Sequence, residues 1–154
     1  MRILVLSDSH RDRFAINEAL LRQPSAEIVV HLGDGADEME DAAVYLRGKK
    51  QVIMVNGNCD WFSNLPARET FSVNGVKVLC THGYAENVKY SVDGLIEAAV
   101  DNGAQLVLYG HTHEQKNEYI DGVYYFNPGS LHSGEYGVVD ITDAGIVCIG
   151  MNLH

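Results

Sequence analysis

Residues 2–10 read RILVLSDSH, and residues 28–34 read IVVHLGD. Each segment is an apolar run that passes into polar residues, which is typical of a buried strand in a parallel sheet. Between them, Arg13–Arg22 carries apolar residues at helical spacing, and Pro24 follows its end. The three segments together predict a strand–helix–strand unit, the repeating element of an α/β fold.

The rest of the chain continues this alternation and then changes character. A helix over Ala36–Arg47, closed by Gly48, and a strand over Gln51–Val55 complete a βαβαβ pattern. Further along, Asn74-Gly75 marks a hairpin and a single additional helix is surrounded by short strands. The predicted elements there are strands at Thr70–Val73, Val76–Thr81, Gln105–Tyr109, Glu118–Ile120, Val123–Asn127, Tyr136–Ile141 and Ile146–Ile149, and a helix at Ser91–Asn102. We expect two packed sheets with helices outside.

Composition limits the possible classes of protein. The chain has 154 residues, of which 46% are hydrophobic and 21% charged, so we expect one folded domain over residues 1–154. With a net charge of -10 and 11 dispersed Lys and Arg residues, nucleic-acid binding is disfavoured. No apolar run has the length of a membrane helix or of a signal peptide, which predicts a cytoplasmic location. The three cysteines form no CxxC motif and predict neither disulfides nor a thiolate metal site.

Potential metal ligands follow five of the predicted strands directly. They are Asp8 and His10, Asp34, Asn58, His82, and His111 and His113. Ligands of open α/β sheets bind at the carboxyl ends of strands, so we expect these side chains to converge. Asp8 and His10 are two residues apart, as are His111 and His113, and in an extended chain such pairs point to the same side. Each pair can therefore direct both of its side chains at the same metal cluster.

The donor set indicates which metals would fit. Seven side chains, three with oxygen donors and four imidazoles, are too many for one ion but suit two ions that share a carboxylate. Mixed oxygen and nitrogen ligands without thiolate are typical of Mn, Fe, Co, Ni or Zn. We expect two divalent ions and favour Mn²⁺.

The motifs resemble those of a known enzyme family. The chain contains, in order, DSH (8–10), GD (33–34), GNCD (57–60), THG (81–83), GHTH (110–113) and NPGS (127–130). This series is similar to the calcineurin-like metallophosphoesterase superfamily, and in particular to its small single-domain YfcE-like phosphodiesterases. The resemblance implies a four-layer α/β/β/α sandwich of two mixed sheets.

The resemblance also assigns roles to the candidate ligands. Asp8, His10 and His113 would hold one ion, and Asn58, His82 and His111 the other, with Asp34 bridging the two. In such a dinuclear site a hydroxide that bridges the ions attacks phosphorus in line with the leaving oxygen. The residues expected to serve catalysis are Asp34, Asn58, His82 and Asp60, the last by orienting ligands from behind. Asn127 and Gly129-Ser130 are expected to shape the rim of the site.

Two positions depart from the family pattern. Larger members carry a histidine where Cys59 stands, and a neutral thiol is a poor proton donor to an alkoxide leaving group. Arg11 stands where a glycine is common, so its side chain either contacts a substrate phosphate or lies in solvent. His31 lies inside an apolar run and is expected in the core or behind the site, whereas His132 could reach the rim.

Ordinary explanations exist for each residue taken alone. Asp8 could cap a helix, Gly57-Asn58 could form a plain turn, and the histidines could be exposed or hydrogen-bonded loop residues. Together they would require a coincidence at five strand ends. The sequence therefore predicts a metal-dependent hydrolase of small phosphodiesters. A phosphomonoesterase, or a non-catalytic protein-binding scaffold like the small retromer subunit, is the alternative; a homo-oligomer is possible, because this fold family often assembles.

Overall fold

The computed structural model describes residues 1–154 as ten strands, three helices and one 3₁₀ turn. The strands are β1 (Arg2–Leu6), β2 (Ile28–His31), β3 (Gln51–Met54), β4 (Arg68–Val73), β5 (Val76–Thr81), β6 (Leu106–Leu108), β7 (Gln115–Ile120), β8 (Val123–Pro128), β9 (Glu135–Thr142) and β10 (Gly145–Asn152). The helices are α1 (Arg13–Arg22), α2 (Ala36–Leu46) and α3 (Asp93–Asn102), and the 3₁₀ turn is Leu131–Ser133.

The strands form two five-stranded sheets. The first has the order β10-β9-β1-β2-β3, with β1, β2 and β3 parallel to one another. The second has the order β4-β5-β6-β8-β7, with β5 parallel to β6. Parallel neighbours end at the same edge of a sheet, so each sheet presents its ligand-bearing loops at one edge.

Apolar side chains fill three interior layers. A cluster of 15 buried residues lies between the sheets and includes Val5 and Val30 from the first sheet and Leu108 and Phe126 from the second. A second cluster packs α1 and α2 against the outer face of the first sheet, and a third packs α3 against the outer face of the second. This arrangement confirms the expected α/β/β/α sandwich.

Two elements, β7 and α3, begin at residues other than those predicted, because polar side chains make hydrogen bonds there. β7 begins at Gln115 instead of Glu118, because Gln115 pairs with Pro128 and its amide donates to the carbonyls of Tyr136 and Met151. Hydrophobic patterning gives no signal for such exposed residues. α3 begins at Asp93, since the Ser91 hydroxyl accepts the Asp93 N–H and ends the preceding turn.

None of the three helices is long and apolar enough to cross a membrane.

Candidate metal centre

Within each sheet, backbone hydrogen bonds join the loops that follow neighbouring strands. The Asp8 N–H donates to the Gly33 carbonyl over 3.0 Å, and the His10 N–H donates to the Asp34 carbonyl over 3.0 Å. Across the second sheet, the Gly110 N–H donates to the His82 carbonyl over 2.9 Å. These bonds hold the predicted ligand loops in one place before any ligand binds.

One group of donor atoms, the first triad, consists of Asp8, His10 and His113. Asp8 Oδ1 lies 3.7 Å from His10 Nε2 and 3.2 Å from His113 Nε2, and the two imidazole nitrogens are 3.3 Å apart. The Asp8 side chain is fully buried, whereas the side chain of His113 is 47% exposed. The first triad therefore opens toward solvent on its histidine side.

The other group, the second triad, consists of Asp34, His82 and His111. Asp34 Oδ2 lies 3.3 Å from His82 Nε2, and both side chains are 3% exposed. The ring centroids of His82 and His111 are 5.0 Å apart. His82 Nε2 is also 3.9 Å from Asp8 Oδ1, so the two triads adjoin.

The histidine pair divides between the triads: His113 belongs to the first and His111 to the second. Neither residue is extended, and neither are Asp8 and His10, which share the first triad. Nine non-glycine residues have positive φ, and five of them belong to the two triads: Asp8, His10, Asp34, His111 and His113. Left-handed conformations of non-glycine residues cost free energy and cluster at functional sites. The separation of His111 from His113 agrees with the assignment implied by the family resemblance.

Two buried atoms at this centre have no hydrogen-bond partner, Asp8 Oδ1 and His82 Nε2. His82 Nδ1 lies 2.7 Å from the Leu32 carbonyl. A carbonyl only accepts, so Nδ1 carries the proton and Nε2 presents its lone pair. Burying an unpaired carboxylate oxygen beside an unpaired imidazole nitrogen is costly unless a cation joins them. The residues present therefore fit a bound metal ion.

Electrostatics favour an ionised Asp34. Burial alone raises the pKa of Asp34, but a protonated His82, whose Nε2 lies 3.3 Å from Asp34 Oδ2, and the N–H of Cys59 outweigh it and hold this pKa well below its ordinary value. Burial lowers the pKa of His82, but Asp34 and Asp8 outweigh that effect and raise it. Without a metal, a proton takes the place of the cation between these groups, so protons and metal ions compete.

Asn58 lies in the loop that borders Asp34. The Cys59 N–H donates to Asp34 Oδ1 over 2.8 Å, and a Cβ added at Gly57 would come within 2.2 Å of the same oxygen. Glycine is required there because the backbone passes so close to the carboxylate. The Asn58 side chain is exposed, and its amide is 3.7 Å from Cys59 Sγ. Its role as a metal ligand stays a prediction.

Asp60 lies behind the cluster and fastens two loops together. Its Oδ2 accepts the N–H of Asp34 over 2.7 Å and that of Gly57 over 2.8 Å. Its Oδ1 accepts the N–H groups of Gly35 and Ala36 over 3.0 Å each. These two donors belong to the first turn of α2, where Gly35 supplies no side-chain cap. The carboxylate is placed to position Asp34.

A buried polar network lies under the first triad, and of its members the sequence predicted only His31, in the core or behind the site. The Gly33 N–H donates to His31 Nδ1 over 3.2 Å, so His31 Nε2 carries the proton and donates to Ser9 Oγ over 2.9 Å. Ser9 in turn donates to Glu38 over 2.8 Å, and Glu38 also accepts the Arg11 N–H. Burial lowers the pKa of His31 to about 4, which keeps it neutral. The network fixes the turn between Asp8 and His10.

The expectation that Asn127 shapes the rim is wrong. Its side chain is fully buried and donates to the Gly110 carbonyl over 3.1 Å and to Thr112 Oγ1 over 2.9 Å. Ser130 is also buried, and its hydroxyl donates to the Asp8 carbonyl over 2.9 Å. Both residues support ligand loops from below, because polar side chains in the interior satisfy backbone groups that the turns leave free.

His132 and Arg11 lie near the open side of the first triad. The ring of His132 is 6.4 Å from that of His10, and its Nδ1 is 3.6 Å from Asp12. Arg11 is exposed, has a φ of 70°, and lines a cavity of about 400 Å³ next to His10 and Asp34. Cys59 lines the same cavity, and burial together with the charge of Asp34 raises its thiol pKa. A neutral thiol is consistent with its expected weakness as a proton donor.

The chain is similar to proteins of one family. Residues 1–144 match the model of the calcineurin-like phosphoesterase superfamily domain. A probable metallophosphoesterase from Bacillus subtilis is 26% identical over 132 residues, which cover 85% of this chain and 75% of the relative. A phosphodiesterase from Methanocaldococcus jannaschii is 26% identical over 151 residues, which cover 84% of this chain and 83% of the relative.

Solved structures with the same fold include enzymes and sorting proteins. A conserved predicted phosphoesterase from Streptococcus pneumoniae has a TM-score of 0.81 and 25% identity, over 98% of this chain and 88% of its own. Vps29 from Entamoeba histolytica, solved with Zn²⁺, has a TM-score of 0.73 and 18% identity over the whole of both chains. The second likeness shows the fold alone.

The chain belongs to the calcineurin-like phosphoesterase superfamily, whose model matches nearly all of it. The prediction of a metal-dependent phosphoester hydrolase is confirmed at the level of the family, and the paired triads agree with it.

Proposed function

We propose that residues 1–154 form one dinuclear phosphodiesterase domain that hydrolyses small phosphodiesters. One observation carries the proposal: two adjoining donor triads meet at the buried, unpartnered atoms Asp8 Oδ1 and His82 Nε2. The curated relative named a phosphodiesterase supports the choice of diester substrates. A cytoplasmic location, expected from the sequence, stays a prediction.

In such a site, different side chains would bind the ions, position the ligands and contact the substrate. Asp8, His10 and His113 would hold one divalent ion, and His82, His111 and Asn58 would hold the other, with Asp34 available to both. When bound, two such ions acidify a water for attack on phosphorus and offset the phosphate charge. Asp60 holds Asp34 in place through four backbone N–H groups. Arg11 borders the same cavity and contacts a phosphate oxygen.

Manganese is the preferred ion in this proposal. The donors are carboxylates, imidazoles and one amide without thiolate, and the first triad leaves room for water and substrate on its exposed side. Hard oxygen donors with open positions suit Mn²⁺, while Fe²⁺, Co²⁺, Ni²⁺ and Zn²⁺ share the imidazole preference. We expect the highest rate with Mn²⁺ when these ions are compared on the stripped protein.

The testing experiment measures hydrolysis of bis-p-nitrophenyl phosphate after removal of metal with chelator and addition of Mn²⁺. Asp34→Asn keeps an acceptor for the Cys59 N–H but removes the shared charge, so we expect the rate to fall on the order of 10³-fold. The matched control is Asp121→Asn. Asp121 also has positive φ (49°) but lies in the turn between β7 and β8, and we expect the wild-type rate.

Other outcomes separate the alternatives. A faster reaction with p-nitrophenyl phosphate than with the diester would replace the diesterase by a phosphomonoesterase on the same ligands. A folded, metal-loaded protein that hydrolyses neither ester would favour the scaffold function. That alternative has only fold-level support from the Vps29 structure.

A further inference from the structure

We propose that the substrate carries a flat aromatic group that packs on Trp61 and Phe62 beside the metal centre. The inference rests on the proposed function, because the metal centre binds the phosphate end of the same molecule. It adds the chemical class of the ester group: an aromatic substituent, either a nucleobase or another aryl group.

Trp61 and Phe62 are exposed although they are the kind of residue that folding usually buries. The side chain of Trp61 is 82% exposed, and Phe62 is 100% exposed and packs against no other residue. Burying a Phe side chain is worth roughly 2–3 kcal/mol. Single exposed apolar residues are common, and several others occur on this surface. Exposure alone therefore identifies no site.

Position distinguishes these two residues from the other exposed apolar side chains. Of the large hydrophobic residues at the surface, only Trp61 and Phe62 line the cavity that contains His10 and Asp34. The cavity has a volume of about 400 Å³, which lies within the usual size of small-molecule sites. An apolar wall therefore faces the same space as the candidate metal ligands.

The backbone that carries the two aromatic residues is held in a fixed relation to the metal centre, while their side chains are exposed. Trp61 and Phe62 are the central residues of a turn, here called the aromatic turn, that Ser63 closes by donating its N–H to the Asp60 carbonyl over 3.2 Å. The Asp60 carboxylate accepts the N–H of Asp34 over 2.7 Å. Asp60 thus holds both the aromatic turn and the loop of Asp34, so the backbone of the aromatic turn is pre-organised.

The cavity contains one cationic side chain, Arg11, beside the carboxylates of Asp34, Asp37, Glu38 and Asp60. Arg11 lines the cavity and takes part in no ion pair, which leaves its guanidinium available to an anion. Glu38, which also lines it, already accepts the Ser9 hydroxyl and the Arg11 N–H. A phosphate at the metal centre and a ring on the aromatic turn would fill this space together.

The test measures binding to the Mn²⁺-loaded protein by calorimetry, with three phosphonates whose C–P bonds resist hydrolysis. They are methylphosphonate, phenylphosphonate and an adenine-bearing alkylphosphonate. Trp61 is the only tryptophan of the chain, so its fluorescence reports where a ring binds. We expect the aromatic phosphonates to bind about 5- to 100-fold more tightly than methylphosphonate and to change the Trp61 emission.

Phe62→Ala tests the aromatic turn directly. Because Phe62 packs against nothing, its removal leaves the fold intact, and we expect the advantage of aromatic phosphonates to fall about 5-fold or more with unchanged methylphosphonate affinity. Tyr45→Ala is the matched control: Tyr45 is 79% exposed on α2 and does not line the cavity, so it leaves all three affinities unchanged.

The outcomes separate this inference from the proposed function. Equal affinities for the three phosphonates, or an unchanged preference in Phe62→Ala, would overturn the aromatic site even if diester hydrolysis is measured. A preference that depends on Phe62 in a protein without hydrolysis would uphold the aromatic site and overturn the enzyme. Tighter binding of the adenine phosphonate than of phenylphosphonate identifies a nucleobase, and equal binding identifies a general aryl group.

Discussion

The two triads have the same composition, one carboxylate and two histidines, but differ in exposure. In the second triad the side chains of Asp34 and His82 are both 3% exposed. In the first triad Asp8 is fully buried, but the side chains of His10 and His113 are 33% and 47% exposed. A dehydrated set of donors holds an ion more firmly than one that competes with water. Although His111 of the second triad is half-buried, we expect this triad to hold a proposed ion more firmly than the first triad does.

Removing one histidine from each triad tests this difference, and we expect the largest effect at His82. An asparagine there can still donate to the Leu32 carbonyl but has no equivalent of Nε2. His82→Asn therefore loses the firmly held ion, and the rate of diester hydrolysis falls on the order of 10³-fold. His113→Asn loses only the less firmly held ion, so we expect its rate of diester hydrolysis to fall less than that of His82→Asn.

Metal titration by calorimetry distinguishes the two variants. We expect each variant to bind one ion, with the remaining ion held more weakly in His82→Asn than in His113→Asn. Equal affinity in the two variants would show that exposure does not separate the triads. His132→Asn, which lies outside both triads, serves as the control and should bind two ions.

Buried His31 in the polar network under the first triad predicts that the free energy of unfolding falls in acid. Burial lowers the pKa of His31 from 6.5 to about 4, so the unfolded chain binds a proton in this range that the folded chain excludes. Stability is complete above pH 6.5 and is lost as the pH falls toward 4, by roughly 3 kcal/mol at about 1.4 kcal/mol per pH unit.

Comparison with His31→Asn isolates this contribution. Asparagine can still accept the Gly33 N–H but does not titrate. The free energy of unfolding of both metal-free proteins, measured with denaturant from neutral pH to pH 4, gives a difference that should shrink by roughly 3 kcal/mol. A constant difference across this range would mean that His31 has the same pKa in the folded and the unfolded chain.

The support under the second triad is Asp60, and its removal should act on metal binding. Asp60→Asn removes the charge and one of the two oxygens that accept four backbone N–H groups. We expect the affinity of the firmly held ion to fall about 10- to 100-fold, because groups that orient ligands act at this level. Asp37→Asn, an exposed acid in the first turn of α2, is the comparison. An equal loss in both variants would indicate a general effect of charge.

The smallest expected effect concerns Arg11 at the edge of the first triad. Arg11→Gly removes a side chain from a left-handed position, so we expect the free energy of unfolding to rise by about 1 kcal/mol. The same change should raise KM for the diester about 10-fold by removing a phosphate contact. Arg11→Gln keeps the strained backbone and should change KM alone. An unchanged KM in both variants would place Arg11 in solvent.

The sequence predicted the location of the centre because the signals lie in short segments. An apolar run followed by a polar ligand identifies a strand end, and parallel strands bring such ends together, as for Asp8 and Asp34. The division into triads came from family resemblance instead. Spacing only aimed each pair at the shared cluster, and the extended backbone that it assumed is left-handed in both pairs.

Long-range hydrogen bonds were not predictable from the sequence. The bond between Ser9 and Glu38 joins residues 29 positions apart, and that between Asn127 and Gly110 joins residues 17 apart. Their side chains are ordinary polar residues whose partners become defined only when the sheets pack. Asn127 was expected at the rim, but no pattern of residues in the sequence shows how deeply its side chain is buried.

The left-handed backbone at the ligand positions restricts how this lineage can change. At Asp34 or His111, most replacements would retain the conformational cost and lose the proposed metal ligand. Glycine and asparagine tolerate this conformation best. A descendant that no longer needed its ions would therefore drift toward Gly or Asn at these positions, and such substitutions in a related genome would mark the loss of catalysis.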